Sequence, residues 1–380
     1  MSTANRGRDS GERPRLISTL SDDIGIVVHD VRRRGLGRSV GGTLAGLEAF
    51  YLTRDERLRL GELSVARRFF RRIWYFIRGL LMKLTPARRI MLASALVAIV
   101  LGVGRIDIDT VHFGFRFQGT ATLLILLVLV LELKDKLVAR NELEAGRAVQ
   151  LALMPTDRPE VPGWDIWLYT KPANDVGGDL VDHLPLERGH HAVLLGDVTG
   201  KALPAALLAV QLQATIRALA PRFDDLGDFG AGMNNILYRD GLPTRFASLV
   251  YLQLTADSGA VRLLNAGHMP PLLLRGATLT TLPAGSMVLG MMPDITFSEQ
   301  RIDIETGDVL VVYSDGISEA MNEAGDFFDD ERLHALVMQT RGMPARETGA
   351  HILAELARFV GEAEQSDDVS LMVLRRLEHD

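Results

Sequence analysis

Four aspartates stand where a chain can hold a charge still. Val176-Gly177-Gly178-Asp179 ends on an acid after two glycines. Leu195-Gly196-Asp197-Val198 and Val311-Val312-Tyr313-Ser314-Asp315-Gly316 each put an acid just after an apolar run. Asp367-Asp368-Val369-Ser370-Leu371 sets a carboxylate pair where an apolar run begins. A carboxylate at the end of a buried strand has a fixed backbone behind it. A neighbouring glycine lets the chain turn sharply and lets a carbonyl approach an ion. Carboxylates that converge repel unless cations sit among them. Two divalent cations held this way suit phosphoryl chemistry. Spacing alone reaches no further than an acidic metal site, because single Asp-Gly pairs also make ordinary turns. The chain has no cysteine, which excludes thiolate sites. Oxygen ligands favour Mg²⁺ or Mn²⁺ over Zn²⁺.

The elements around these acids are predicted from pattern. Strands read at 164–170, 191–196, 246–254, 260–265, 271–275, 308–313 and 368–375, and helices at 203–220, 225–239, 329–340 and 344–361. They mix without a regular βαβ alternation, so the expected class is α+β with antiparallel sheets and flanking helices. This domain is expected over 156–380.

Upstream the composition changes. Residues 1–89 hold 19 of the 42 Lys+Arg and 9 of the 48 Asp+Glu, leaving 23 basic against 39 acidic residues in the remainder. An acidic domain suits cations and repels nucleic acid, which is not expected as a partner. Residues 1–42 are polar and read as disordered or loosely structured. Residues 43–86 read as basic amphipathic helix, with Phe69, Phe70, Trp74, Ile77, Leu80 and Leu81 among Arg67, Arg68, Arg71, Arg72 and Arg78. Such a face suits a membrane surface or a small helical bundle. Within 87–134, apolar runs at Ile90–Gly104 and Gly119–Leu133 are each short of the ~20 residues of a spanning helix. Flanking Arg88, Arg89, Lys134, Lys136 and Arg140 extend them and set orientation. The expectation is a two-helix transmembrane hairpin in the inner (cytoplasmic) membrane, with both termini and the 156–380 domain in the cytoplasm. A buried helical pair is the alternative. Residues 135–155 read as a linker helix that ends at Met154-Pro155. Its seam of Leu137, Leu143 and Val149 could pair with a second copy as a homodimer.

The ordered motifs carry more. Arg147 through Pro155 resembles a linker helix that opens a known domain. Ala173 with Val176-Gly177-Gly178-Asp179, then Gly196-Asp197-Val198-Thr199-Gly200-Lys201 with Pro204-Ala205-Ala206, resemble its two first metal motifs. Phe246-Ala247-Ser248-Leu249, Asn265-Ala266-Gly267-His268-Met269-Pro270-Pro271, Leu289-Gly290, Tyr313 through Ala320 and Asp367-Asp368-Val369-Ser370 follow in the same order. Residues 147–376 are thus similar to the SpoIIE/RsbU type of PPM-fold, metal-dependent serine/threonine protein phosphatase.

The resemblance implies a β-sandwich flanked by helices and two Mn²⁺ or Mg²⁺ ions. Asp197 would bridge them, with Asp179, Asp315, Asp367 and the Val198 carbonyl as further ligands. Asp368 would stand behind the ligands. Asp197 and Asp179 would act through a metal-bridging water that attacks phosphoserine or phosphothreonine with no phosphoenzyme. The implied substrate is a phosphorylated protein such as an anti-sigma-factor antagonist. Ala202-Leu203 departs from the family's frequent Gly-Val, and Leu180-Val181 from a common aromatic pair. Lys201 reads either as a phosphate contact beside a helix start or as a solvated lysine. His268 reads as a proton donor to the leaving group or as part of a constrained turn behind the site. Two other classes compete. Gly177-Gly178-Asp179 echoes the hairpin of diguanylate cyclases, and a non-catalytic membrane-tethered module could keep the same fold.

Overall fold

A computed structural model describes residues 67, 71, 74–75, 78–79, 81–101, 103–108, 111–241 and 245–378. The readings for 1–42 and most of 43–86 lie outside these residues. The chain divides between Lys136 and Leu137 into two units.

In the first unit, helix α1 (Pro86–Leu101) leads into an antiparallel ribbon, β1 (Val103–Ile108) with β2 (Val111–Arg116), and then into helix α2 (Phe117–Leu153), whose residues from Leu137 on belong to the second unit. The stretch between the apolar runs is therefore paired backbone over most of its length. Val111, Phe113 and Phe115 alternate at strand period, which supports pairing. The second apolar run and the predicted linker helix are one 37-residue helix, because no glycine or proline interrupts 120–145. Arg88 joins the two helices through Glu132 at 2.8 Å and Asp135 at 2.6 Å. Ala95 and Ala121 are buried while Leu123, Leu129 and Val97 are more than half exposed.

Among the described residues one helical stretch, Ala202–Arg222, is long and apolar enough to cross a membrane. It lies in the second unit and buries Ala205, Leu212 and Ile216 against a sheet. Its hydropathy thus serves a protein core. The predicted two-helix transmembrane hairpin does not emerge as such: α1 has 16 residues, about 24 Å at 1.5 Å per residue.

The second unit is a four-layer sandwich. One sheet has the order β10-β7-β6-β5-β4, from β4 (Leu180–Pro185), β5 (His190–Val198), β6 (Ala247–Thr255), β7 (Ala260–Ala266) and β10 (Glu299–Asp303). The other has the order β3-β12-β11-β8-β9, from β3 (Trp164–Lys171), β8 (Leu272–Arg275), β9 (Thr278–Thr281), β11 (Val309–Tyr313) and β12 (Val369–Arg376). All pairings within these sheets are antiparallel. Helices α3 (Ala202–Leu219) and α4 (Leu226–Asp240) cover the first sheet. After the short helix α5 (Asp315–Ser318), helices α6 (Asp330–Gln339) and α7 (Ala345–Val360) cover the second.

The strand sequences explain the layers. Side chains alternate across a strand, so a strand buried on both faces reads as an unbroken apolar run. In β5, Ala192 and Leu194 face α3 and α4, while Val193 and Leu195 face the other sheet. In β11, Val311 and Tyr313 face α6 and α7, while Leu310 and Val312 fill the space between sheets. The predicted strands and helices of this domain recur within about two residues. β4, β9 and β10 were not predicted. β10 (Glu-Gln-Arg-Ile-Asp) has one apolar residue, Ile302, and β9 is a short edge, so neither carries an apolar signal.

Candidate metal centre

The topology brings the four acidic motifs to one end of the sandwich. Leu180, at the start of β4, pairs with Gly196 near the end of β5. Tyr313, at the end of β11, pairs with Leu371 near the start of β12. In an antiparallel pair the start of one strand lies beside the end of its neighbour. Asp179 and Asp197 are therefore adjacent across one sheet edge, and Asp315 and Asp367 across the other.

Hydrogen bonds join the two edges. Ser370 Oγ, on β12, donates to Asp179 Oδ2 at 2.5 Å. Asp368 accepts from Ala173 N at 2.8 Å, Gly178 N at 2.6 Å and Asp179 N at 3.3 Å. The buried Asp368 carboxylate thus clamps the whole 173–179 loop. Gln150, near the end of α2, holds the same loop from outside: its Nε2 donates to Gly177 O at 2.8 Å and its Oε1 accepts from Gly177 N at 3.2 Å. Glycine is required at two points. A Cβ on residue 178 would sit 2.8 Å from the Val198 carbonyl oxygen, and one on residue 316 would sit 1.9 Å from the Asp368 carbonyl oxygen.

The electrostatics are those of crowded acids. Burial, then the Asp197 charge, pushes the Asp179 carboxyl well above the usual carboxylate range. Asp197 is raised to about 6 by burial and by Asp315. Asp315 is raised by burial and by Asp367. Lys201 Nζ lies 3.1 Å from Asp367 Oδ2 and donates to Ser366 O at 2.8 Å. This predicted phosphate contact is thus engaged with Asp367. The buried His268 is lowered to about 4 by desolvation. It lines a cleft of about 250 Å³ with Asp197, Thr199, Phe246, Ser248, Met269, Val288 and Asp315.

Divalent cations fit this donor set. It is all oxygen, its carboxyls crowd one another, and Gly178, with no Cβ, leaves space beside the Val198 carbonyl oxygen. Among the described residues no three Asp, Glu or His side chains already close around one point. Asp179 instead holds Ser370, while Asp367 holds Lys201 and accepts from Asp368 N at 3.0 Å.

Pattern reading gave Ser370 and Gln150 no role. Ser370 follows the acidic pair inside a quoted motif, and Gln150 lies in the quoted linker segment, but only tertiary contacts give them partners. His190 and His191 open β5, and His191 Nδ1 lies 3.1 Å from His183 Nε2. The cyclase echo does not survive the topology. Its motif needs a hairpin at Gly177-Gly178, yet these glycines lie between β3 and β4, which belong to different sheets.

Comparison with known proteins agrees with this geometry. Residues 187–377 match the family described as Stage II sporulation protein E (SpoIIE). The phosphoserine phosphatase RsbU of Bacillus subtilis is 26% identical over 239 residues, 62% of this chain and 70% of that protein. Protein IcfG of Synechocystis is 26% identical over 274 residues, 64% of this chain and 43% of that protein. The chain thus spans less than half the length of IcfG. The SiaA-PP2C domain of Pseudomonas aeruginosa superposes with a TM-score of 0.53 at 18% identity, over 64% of this chain and 99% of that one. The RsbU and RsbW domains of Rv1364c from Mycobacterium tuberculosis give 0.51 at 23%, over 59% and 63%. At these identities the structural likeness speaks to the fold. With the family match over half of the chain and the acids at one end of a PP2C-like sandwich, this chain belongs to the SpoIIE family, of the SpoIIE/RsbU type of PPM-fold serine/threonine phosphatases.

Proposed function

We propose that this chain is a metal-dependent protein phosphatase acting on phosphoserine or phosphothreonine in a partner protein, with an anti-sigma-factor antagonist as the expected substrate. The observation that carries the reading is the placing of Asp179, Asp197 and Asp315 at one end of the sandwich, each raised by burial and by a neighbouring acid. Such a group is unstable alone and stable around cations. Asp179, Asp197, Asp315, Asp367 and the Val198 carbonyl are the residues that would hold two Mn²⁺ or Mg²⁺ ions. Bound there, the ions would neutralise phosphoryl charge and make water acidic enough to attack near neutral pH.

The chain's own residues do the rest. Asp368 fixes the 173–179 loop, so that Asp179 meets the site at one angle. Ser370 holds one Asp179 oxygen in place. Lys201 sets the direction of Asp367. The apolar side of the cleft, Phe246, Met269 and Val288, excludes water from the side where a substrate chain would lie.

The test is phosphate release from a phosphoserine protein during Mn²⁺ titration, with wild type beside Asp197→Asn. Loss of at least ~100-fold is expected. Activity unchanged in Asp197→Asn would sink the mechanism. A wild type that binds Mn²⁺ and releases no phosphate from any phosphoprotein would favour a non-catalytic module.

Membrane attachment through 87–134 belongs to the same proposal, with the catalytic domain in the cytoplasm. What supports it is the inversion of ordinary packing along α1 and α2: Ala95 and Ala121 are buried with Val128, while Ile90, Val97, Val100, Leu123, Leu126 and Leu129 are exposed. Small residues at helix contacts and leucines facing outward suit lipid. Exposed Leu137 and Val149 on α2 support pairing with a second copy. Partition of full-length protein into the membrane fraction, resistant to high salt, is the expected result. Release by salt alone would count against a spanning hairpin.

A further inference from the structure

The mechanism above leaves one buried polar chain in the cleft without a task. It runs from Ser248 through His268 to the backbone of Tyr313. Ser248 Oγ lies 2.7 Å from His268 Nδ1, and His268 Nε2 lies 3.0 Å from Tyr313 O. The backbone of His268 is itself fixed: its N donates to Asn265 Oδ1 at 2.9 Å, and its O accepts from Asn265 Nδ2 at 3.1 Å.

Donor and acceptor roles follow from this geometry. A carbonyl oxygen only accepts, so Nε2 must carry the hydrogen. The ring is buried, and its polar partners are a hydroxyl and a carbonyl; the cost of burying a charge outweighs the pull of the Tyr313 carbonyl toward imidazolium, so the ring is neutral. A neutral ring with hydrogen on Nε2 has a bare lone pair on Nδ1. The Ser248 hydroxyl therefore donates to Nδ1. With its hydrogen committed to His268, Ser248 has only lone pairs left to present elsewhere.

Those lone pairs are in a telling place. Ser248 is the cross-strand partner of Asp197 in the β5–β6 register, and both residues line the same cleft with Asp315. An acceptor facing carboxylates is unfavourable unless a donor comes between them. The natural small donor is water.

We propose that Ser248 accepts a hydrogen bond from the attacking water and so orients it, and that His268 is a positioning residue that fixes the Ser248 hydroxyl for this purpose. This rests on the phosphatase reading and deepens it. It also reassigns His268: with Nε2–H on a carbonyl and Nδ1 accepting, the ring has no proton to offer a leaving group. Ser248 touches the reacting water, and no covalent bond to it forms at any stage.

The experiment uses full-length protein and three readouts. The first is steady-state kinetics with p-nitrophenyl phosphate and Mn²⁺. Ser248→Ala should lower kcat about 10-fold to 100-fold with KM within about twofold, and Ser248→Thr, which restores the hydroxyl, should recover most of the loss. His268→Gln should fall similarly, and the double variant should be no worse than the poorer single one, as expected for residues that act as one unit. The second is calorimetric Mn²⁺ affinity, expected to be unchanged in Ser248→Ala. The third is the imidazole ¹⁵N spectrum, with His268 assigned by its loss in His268→Gln. A single Nε2–H tautomer is expected at pH 7.

Several results would overturn the proposal: normal kcat in Ser248→Ala, additive losses in the double variant, Mn²⁺ binding weakened tenfold, an Nδ1–H or doubly protonated ring, or phosphate trapped on Ser248. An inactive wild type would remove the phosphatase reading and this one together. An active wild type with an indifferent Ser248→Ala would remove this one alone.

Discussion

At the scale of single residues, the departures from the family pattern prove as informative as the matches. Ala202 stands where the family often has glycine, and its φ is 60°. A side chain in that left-handed region costs about 1 kcal/mol relative to glycine. Ala202→Gly is therefore expected to raise stability by about 1 kcal/mol, read as a higher denaturant midpoint with an unchanged slope. An unchanged or lower midpoint would mean that the helix start relaxes the strain by itself. Asp368 gives the opposite expectation. Removing its carboxylate in Asp368→Ala leaves the N–H groups of Ala173, Gly178 and Asp179 without their buried acceptor. A loss of about 2–4 kcal/mol follows, with weakened Mn²⁺ binding because the Asp179 loop loses its anchor. Calorimetry and chemical denaturation check both halves.

At the scale of elements, the end of α2 is fastened to the catalytic unit by more than chain connectivity. Gln150 grips Gly177, and Leu153 O accepts from Gln213 Nε2 at 3.0 Å and Arg217 Nη2 at 2.9 Å. Arg217 in turn pairs with the fully buried Asp182 of β4 at 2.7 Å. The linker helix thus touches the acidic loop at one residue and the adjoining strand through another. Gln150→Ala should speed amide hydrogen exchange in 173–180 at least several-fold while leaving β11 and β12 unaffected, since the lost bonds are worth about 1 kcal/mol each and are local. Uniform exchange across both sheets would instead indicate global destabilisation. The unbroken α2 also shows why pattern reading split the segment: hydropathy falls sharply at Glu132, but helix propensity does not.

At the scale of the whole molecule, the crowded acids link stability to pH and to metal. Asp197 titrates at about 6 in the folded chain and near 3.9 when unfolded. Between those values the folded state holds a proton that the unfolded state has released. Stability of metal-free protein therefore falls as pH rises from about 4 to about 6, then levels. Asp179 and Asp315 are shifted in the same direction and add to the effect. Metal-free Asp197→Asn should consequently be more stable than wild type at pH 7, on the order of 2 kcal/mol. Adding Mn²⁺ should reverse that order by stabilising only the wild type. Thermal scans of both proteins at pH 4.5 and 7, with and without Mn²⁺, decide this. A wild type that is the more stable protein without metal would mean that the acids are not crowded in solution.

The sequence by itself determined the acidic motifs, their order, the α+β class and most strands of the catalytic unit. These are local properties: alternation, apolar runs and turn residues are written in adjacent positions. The resemblance added the reaction class because its motifs are spread in a fixed order over 230 residues. Tertiary structure alone decided what each acid touches. Asp179 meets Ser370, 191 residues away, and Asp368 clamps a loop 190 residues before it. No local pattern records such a distance. The same holds for Ser248 and His268, whose donor and acceptor roles exist only because Tyr313, 45 residues on, presents a carbonyl to the His268 ring. Hydropathy has the same limit: it measures how apolar a helix is, whereas packing decides what covers it, and a sheet covers Ala202–Arg222.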